Sequence, residues 1–436
     1  MLLPQVTVCS TTPMTVNVTL LAQRMRAQPK FNDLTEQTVF DFAVFMIAGS
    51  GFQKMDAFVD KWDNKYINFL TDIYDTMRQG ADTRIFFYEF FNTFGLQCKE
   101  IFQLCTLGQI SLDCCEIFQP AYTIRRGRCF KTAVALYQKS LDELGKFRVQ
   151  LRKPAVMNFS RAPEDEMLLY IGEAKPDIEL YPRYYLYEGQ YNKFRMFARY
   201  FHLLPGSEHC SNEYSTVGKA TCYLTKWLVD NLEQPYQCTF PYMNKIRNVS
   251  LPSCDAEVLV QHYQNTVNAK SYFSHDCTLP CTRWEYTIMV DRTEGPPTDE
   301  SDNRSAYAFR ADISFNDLQY EEITEVHVLS FFGLLAQIGG QLSLFLGASI
   351  MSIIQVFLML FILSKRSLVQ RRYSTQMITT PITESDVKRN ISEGEMSMAN
   401  NFHVNNPEFY APISKRQLKP DERINNTSSS NKMTVY

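Results

Sequence analysis

Charge is missing between Val328 and Leu363, a run of 36 residues without Asp, Glu, Lys, Arg or His in a chain of 436 that carries 44 basic and 47 acidic side chains. The run is too long and too apolar for a surface element, and it exceeds the ~20 residues that a helix needs to cross a bilayer. Cysteine is missing from everything after it, although twelve cysteines precede it. Signatures of catalysis are missing as well. The six histidines are scattered, neither GxSxG nor HExxH occurs, and Gly49-Ser50-Gly51 lacks the Lys-Ser/Thr pair of a phosphate loop, so it reads as a turn. Glu164-Asp165-Glu166 reads as a solvated loop. These absences argue against an enzyme and imply no catalytic residue and no cofactor. Basic clusters sit mainly beside the apolar run, which argues against nucleic-acid binding.

What is present begins with that run. As one straight helix it would extend about 54 Å, against ~30 Å of hydrocarbon, so part of it must leave the lipid, tilt or break. Gly333, Gly339, Gly340 and Gly347 interrupt its first two-thirds, and Gly339, Ser343 and Gly347 recur every four residues, on one helical face. Small residues at that spacing let helices approach closely. Gln337, Gln341, Ser343, Ser349, Ser352 and Gln355 need hydrogen-bond partners that lipid does not supply, which points them to a bundle interior or a water path.

The run divides the chain into residues 1–327, 328–363 and 364–436. Residues 364–436 carry a net charge of +4 and the remainder −7, and Lys365, Arg366, Arg371 and Arg372 stand just beyond the run, where the positive-inside rule expects the cytoplasmic flank. The one-sided cysteines, with sequons at Asn17, Asn158, Asn248 and Asn303, read as an oxidised, glycosylated extracellular region. The sequons at Asn390, Asn425 and Asn426 fall on the cytoplasmic side and are expected to be silent. The polar, Ser/Thr/Asn-rich tail is expected to be disordered. An N-terminal ectodomain needs a membrane-directing segment upstream, which Met1-Leu2-Leu3 does not provide; the expectation is that such a segment is missing from these residues.

Within the ectodomain, residues 4–10 (PQVTVCS) form a β-prone run, and Phe31 to about Thr76 reads helical, with Val39, Phe42, Phe45 and Met46 at spacings of three and four before Gly49. A cysteine-dense patch spans Cys98 to Cys129, approached by Phe86, Phe87, Phe90 and Phe91. Residues 180–204 are rich in Tyr and Phe with strand preferences, and read as the core of a β layer. A second cysteine patch runs from Cys210 to Cys281. Its CxxxC, near His275 and His209, suits disulfides better than a metal in an oxidising compartment, so no metal site is expected.

In order along the chain, these residues resemble the degenerin/epithelial sodium channels, the superfamily that includes the acid-sensing channels; the style of ectodomain is that of nematode members. PQVTVCS resembles the Pro-x-Val-Thr-x-Cys sequence that follows the family's first membrane helix, and Gly127-Arg128-Cys129-Phe130 its Gly-x-Cys-Tyr motif. Leu204-Pro205 and Cys277-Thr278-Leu279-Pro280-Cys281 fit its second cysteine region, and IGGQLSLFLGAS at 338–349 matches its second membrane helix. The resemblance covers about residues 4–363. It implies an α+β, disulfide-rich, hand-like ectodomain with a β core and peripheral helices, followed by one pore-lining transmembrane helix interrupted at a Gly-x-Ser belt. It also implies three subunits around one pore, as a homo- or hetero-trimer with related subunits in the lipid of the plasma membrane, with the C-terminus cytoplasmic.

The function implied is that of an amiloride-sensitive, voltage-independent sodium channel subunit, gated by an extracellular ligand or by force, with Na+ as permeant ion. Gly347, Ala348 and Ser349 would form the selectivity filter, where small residues bring carbonyls and a hydroxyl near a partly dehydrated cation. Gly333 would sit at the gate, with Gln337, Gly339, Gly340, Ser343 and Gln355 along the pore. Cysteine order carried over from the family pairs Cys9 with Cys129, Cys105 with Cys114, Cys210 with Cys281, Cys222 with Cys277, and Cys238 with Cys254. That leaves Cys98 and Cys115 for a sixth bridge, with Cys114 and Cys115 able to exchange roles. Each bridge would restrict the unfolded chain by roughly 2 to 4 kcal/mol. Three departures bear on conduction: Gln337 and Gln355 stand where relatives often carry acids, and Ser343 replaces a common Gly. Loss of two acidic rings weakens cation attraction. The alternative reading is therefore a non-conducting modulatory subunit, or a single-pass receptor or adhesion protein using its disulfide-rich ectodomain.

Overall fold

The computed structural model describes residues 1–154, 157, 166–174, 183–206, 210–212, 219–243, 250–267, 277–294, 308–326, 330–347 and 350–376. They form two units, Met1–Glu325 and Val326 onward. In chain order the first holds β1 (Gln5–Ser10), α1 (Val18–Arg26), α2 (Glu36–Ala48), α3 (Asp56–Val59), α4 (Asn64–Arg78), α5 (Thr83–Thr93), α6 (Cys98–Ile101), β2 (Phe102–Leu107), β3 (Ile110–Leu112) and α7 (Cys114–Ile117). There follow β4 (Phe118–Thr123), β5 (Gly127–Thr132), α8 (Asp142–Gly145), β6 (Phe147–Leu151), β7 (Glu166–Gly172), β8 (Arg183–Tyr187) and β9 (Gln190–His202). The unit continues with α9 (Lys219–Leu228), α10 (Gln234–Tyr236), α11 (Ala256–Gln261), α12 (Tyr263–Thr266), β10 (Thr282–Glu294) and β11 (Phe309–Thr324). The second unit holds α13 (Phe331–Leu346) and α14 (Ile350–Gln376).

The β-prone PQVTVCS run becomes β1, the middle strand of a five-stranded sheet in the order β4-β5-β1-β7-β8. Val6 and Val8 on one side and Thr7 and Cys9 on the other are all buried, as expected of a strand covered on both faces. The aromatic-rich stretch becomes β8 and β9. In the second sheet, β10-β9-β11-β6-β2-β3, β9 pairs antiparallel with β10 along its whole length and parallel with β11. The register of β11 on β9 slips between Phe315 and Tyr320, where Asn316 to Gln319 bulge out. Apolar side chains of both sheets, among them Val8, Phe118, Phe130, Phe147, Phe194 and Ile313, share one core.

A second core is helical. Its helices start at side-chain caps: Asn17 for α1, Thr35 for α2, Asp63 for α4 and Asp82 for α5. The α4 helix buries Ile67, Leu70, Ile73 and Tyr74 along one stripe, whereas α2 is buried from Val39 to Ala48 and is the hub of this core. Asp41 in α2 stays buried because Tyr66 donates to it at 2.8 Å and Gln37 at 2.9 Å. The Gly49–Gly51 turn is set by close packing. A Cβ on Gly49 would lie 2.5 Å from that of Ala256, and Gly51, at φ 82°, faces the Phe240 ring.

Six disulfides tie the first unit, and the pairs coincide with those the resemblance implies: Cys9–Cys129, Cys98–Cys115, Cys105–Cys114, Cys210–Cys281, Cys222–Cys277 and Cys238–Cys254. Cys9 and Cys129 are register partners on β1 and β5. Both cysteines of the CxxxC element are thus spent in bridges.

Candidate functional site

The charge-free run folds as two helices. Ser330 caps α13, its hydroxyl accepting from the Gly333 amide at 3.0 Å. The helix ends at Gly347, which adopts the left-handed conformation (φ 62°, ψ 13°). That conformation costs an L side chain about 1–2 kcal/mol, and glycine nothing, so the sequence breaks the helix where it can do so without strain. At ~1.5 Å per residue α13 is about 24 Å long and α14 about 40 Å, which resolves the excess length of a single helix. Met351–Leu368 within α14 is long and apolar enough to cross a membrane, with a mean hydropathy of 1.6 and none of it buried; Phe331–Phe345 is a shorter apolar segment. The helix also continues to Gln376, past the Leu363 boundary and into the segment expected to be disordered. Ser364 to Gln376 contains no Gly or Pro to stop it, and Lys, Arg, Leu and Gln are good helix formers.

The residues assigned to the pore fall on these two helices. On α13, Gly333, Gln337 and Gly340 share a face at spacings of four and three, and Gly339, Ser343 and Gly347 follow one another every four residues on an adjacent strip. Gln355 lies on α14, one turn from Ser352. A Cβ added at Gly339, Gly340 or Gly347 would meet no described heavy atom within 4 Å, whereas one at Gly333 would stand 3.2 Å from the Ser330 hydroxyl. Ala348 and Ser349, between the helices, lie outside the described residues, as do the sequons at Asn158, Asn248 and Asn303. Asn17 is exposed, and its side-chain oxygen Oδ1 accepts from the Leu20 amide at 2.9 Å.

Two features of the first unit escape motif reading. Asp312, near the start of β11, is only 3% exposed yet ionic. Lys146 reaches it at 2.8 Å, Arg148 and Arg310 at 3.2 Å, and the Tyr191 hydroxyl donates to it at 2.6 Å. Burial alone would raise its carboxyl pKa; the hydrogen bonds from Arg310, Lys146 and Tyr191 outweigh burial and hold it down at about 2. Burial, reinforced by the bond to Asp312, pushes the Tyr191 hydroxyl up to about 12. Glu143 extends the network, accepting from Lys193 and pairing with Lys146, and its carboxyl is lowered first by the Lys193 hydrogen bond. The one signal in the sequence is an acid set between apolar neighbours, Ala311-Asp312-Ile313. The second feature is Gln138, fully buried, whose amide donates to the Phe315 carbonyl at 3.1 Å and accepts from the Phe315 N–H at 2.7 Å. One side chain thus replaces a strand partner where β11 begins to bulge.

The described residues thus hold a disulfide-stapled α+β unit followed by two apolar helices that meet at a left-handed glycine, one of them long and apolar enough to cross a membrane. The family model described as amiloride-sensitive sodium channel matches residues 1–359, and the chain belongs to that family, one of ion channels and not of enzymes. It is also similar to the degenerin del-1 of Caenorhabditis elegans, at 34% identity over 90 residues, which are 18% of this chain and 14% of that protein.

Proposed function

We propose that this chain is a subunit of a sodium-conducting channel of the plasma membrane, with residues 1–325 extracellular and the break at Gly347 marking the narrowest part of the ion path. The observation that carries this reading is the left-handed Gly347 between two apolar helices in a chain of the sodium channel family. A helix that ends there turns its last carbonyls away from the helical ladder, and carbonyls free of the ladder are what coordinate a partly dehydrated cation. Gly347, Ala348 and Ser349 are the filter in this reading, and Gln337, Gly340 and Gln355 face the path. Gly339, on the adjacent strip, has no close contact among the described residues of this chain, which suits a small residue kept for packing against helices of neighbouring subunits.

The test is to express the full-length protein alone and with related subunits, verify surface delivery by biotinylation, and record current while sodium is exchanged for a large organic cation and amiloride is added. A sodium-carried, amiloride-blocked inward current supports the reading. Silence alone combined with altered current in a partner's presence identifies a modulatory subunit. Silence in every combination, with partner currents unchanged, identifies a receptor or adhesion role.

A further inference from the structure

Ten of the twelve cysteines are buried. The two that are not, Cys98 and Cys115, are bonded to each other. Against this bridge lies a cavity of about 240 Å³ whose walls include Lys99, Gln103, Asp113, Cys114 and Cys115, but not Cys98. Gln103 is on its wall, where β2 bulges: the register of β2 on β6 passes from Phe102 opposite Leu151 to Leu104 opposite Gln150. Its side-chain carbonyl oxygen is buried and accepts no hydrogen bond from the described residues. A buried acceptor left without a donor on a cavity wall marks a place for a ligand's N–H.

We propose that this cavity receives a small aminothiol of the cysteine type, which opens the Cys98–Cys115 bridge by thiol–disulfide exchange. The inference rests on the extracellular placement of residues 1–325, since it needs a compartment in which disulfides form and small thiols circulate. Lys99 provides a cation for the ligand's carboxylate; the Gln103 oxygen and the Asp113 carboxylate accept from its ammonium. The Lys99 charge also favours the thiolate over the thiol. The thiolate attacks Sγ of Cys115, the residue of the pair that lines the cavity, and the bond to Cys98 Sγ breaks. The electron pair leaves on Cys98, which takes up a proton from solvent, and Cys115 carries the ligand as a mixed disulfide. A second thiolate attacks the ligand sulfur of that mixed disulfide, frees Cys115 as a thiol after protonation, and departs as the symmetrical disulfide. Two ligand thiols are oxidised and one bridge is reduced. The neighbouring Cys105–Cys114 bridge also borders the cavity, through Cys114, but Cys114 is 8% exposed and Cys105 1%, so exchange there should be slower; opening of Cys98–Cys115 releases the 17-residue link from α6 to α7 and leaves β2 tied to α7.

The experiment exposes the full-length protein in detergent micelles to cysteine, traps free thiols with an alkylating reagent at intervals, and locates the labels by peptide mass spectrometry. The expected result is labelling of Cys98 at least roughly ten-fold faster than at any of the ten buried cysteines, with the cysteine adduct on Cys115. Equal rates at several bridges, or an adduct on Cys98, would overturn the proposal. In Gln103→Met the acceptor is lost at similar size. Exchange with cysteine should slow by roughly ten-fold, the worth of one charge-assisted hydrogen bond, while exchange with neutral mercaptoethanol stays unchanged. Equal effects on the two thiols would refute the docking of the amine. The five other bridges, read in the same spectra, report whether the variant has folded. Because mass and not current is read, a negative result leaves the channel reading standing, and a silent channel leaves this one standing.

Discussion

The two units solve opposite problems with apolar residues. In the first, phenylalanines such as Phe42, Phe52, Phe90 and Phe194 are fully or almost fully buried, and six disulfides hold the layers. In the second, Phe332 and Phe345 are 80% exposed, and no cysteine occurs. Side chains of the same kind are hidden in one unit and displayed in the other because the first is built for water and the second for lipid. The contrast teaches that stability and conduction should be separable by mutation: changes in the first unit should act on folding and delivery, changes in the second on current.

The largest expected effect on current comes from Gly347→Val, which forces a β-branched residue into a left-handed conformation. Sodium current should fall at least roughly ten-fold while surface labelling stays near wild type. Lost surface labelling would show that the break is needed for folding and would blur the contrast. The largest effect on stability is expected from Asp312→Ala, which leaves Lys146, Arg148 and Arg310 around an empty buried position. A loss of about 3–5 kcal/mol should be visible in chemical denaturation of the first unit within the full-length protein. Because its folded pKa is depressed, the Asp312 contribution is fully present above the unfolded value near 3.8 and is lost as pH falls through about 2. Stability through this network should therefore be flat between pH 5 and 8 to within about 0.5 kcal/mol.

Two smaller effects sharpen the comparison. Gly333→Val should raise resting current if a small residue is needed for closure. Ser330→Ala is its control, because the added Cβ would also press on the capping hydroxyl, and a resting current unchanged in Gly333→Val would remove Gly333 from the gate. The smallest effect separates two roles of one residue. Thr19→Ala should abolish glycosylation at Asn17 and keep the cap, whereas Asn17→Ala should lose both, with an additional cost of about 1 kcal/mol in thermal unfolding. Gel mobility after glycosidase treatment reads the glycan, and identical melting of the two variants would show that the cap contributes nothing.

Much of the first unit was legible because its signals are local or carried by motifs. PQVTVCS alternates nothing yet is β-prone and buried on both faces, and the aromatic run at 183–202 has the preferences of strands. Cysteine order carried over from the family gave four of the pairs outright and left Cys114 and Cys115 interchangeable, a choice that the structure makes as Cys105–Cys114 and Cys98–Cys115. The Asp312 network and the Gln138 contact were not legible, since apart from Arg310 their partners, such as Tyr191 and Phe315, lie 121 to 177 residues away in sequence. Nor was the end of α14, which continues because nothing in Ser364 to Gln376 stops a helix, although the lipid-type composition ends earlier.

By itself the sequence determined that a charge-free, glycine-broken run divides this chain, that the cysteines lie on one side of it, and which family those features belong to. Composition and spacing carry such information because membrane solvation and oxidative pairing act on residue type. Only the tertiary structure decided that Gly347 is the residue that turns left-handed, that three cations converge on Asp312, and that Cys98–Cys115 is the one bridge whose two cysteines are not buried. Those outcomes depend on which distant side chains are packed together, and packing is fixed only when both cores close.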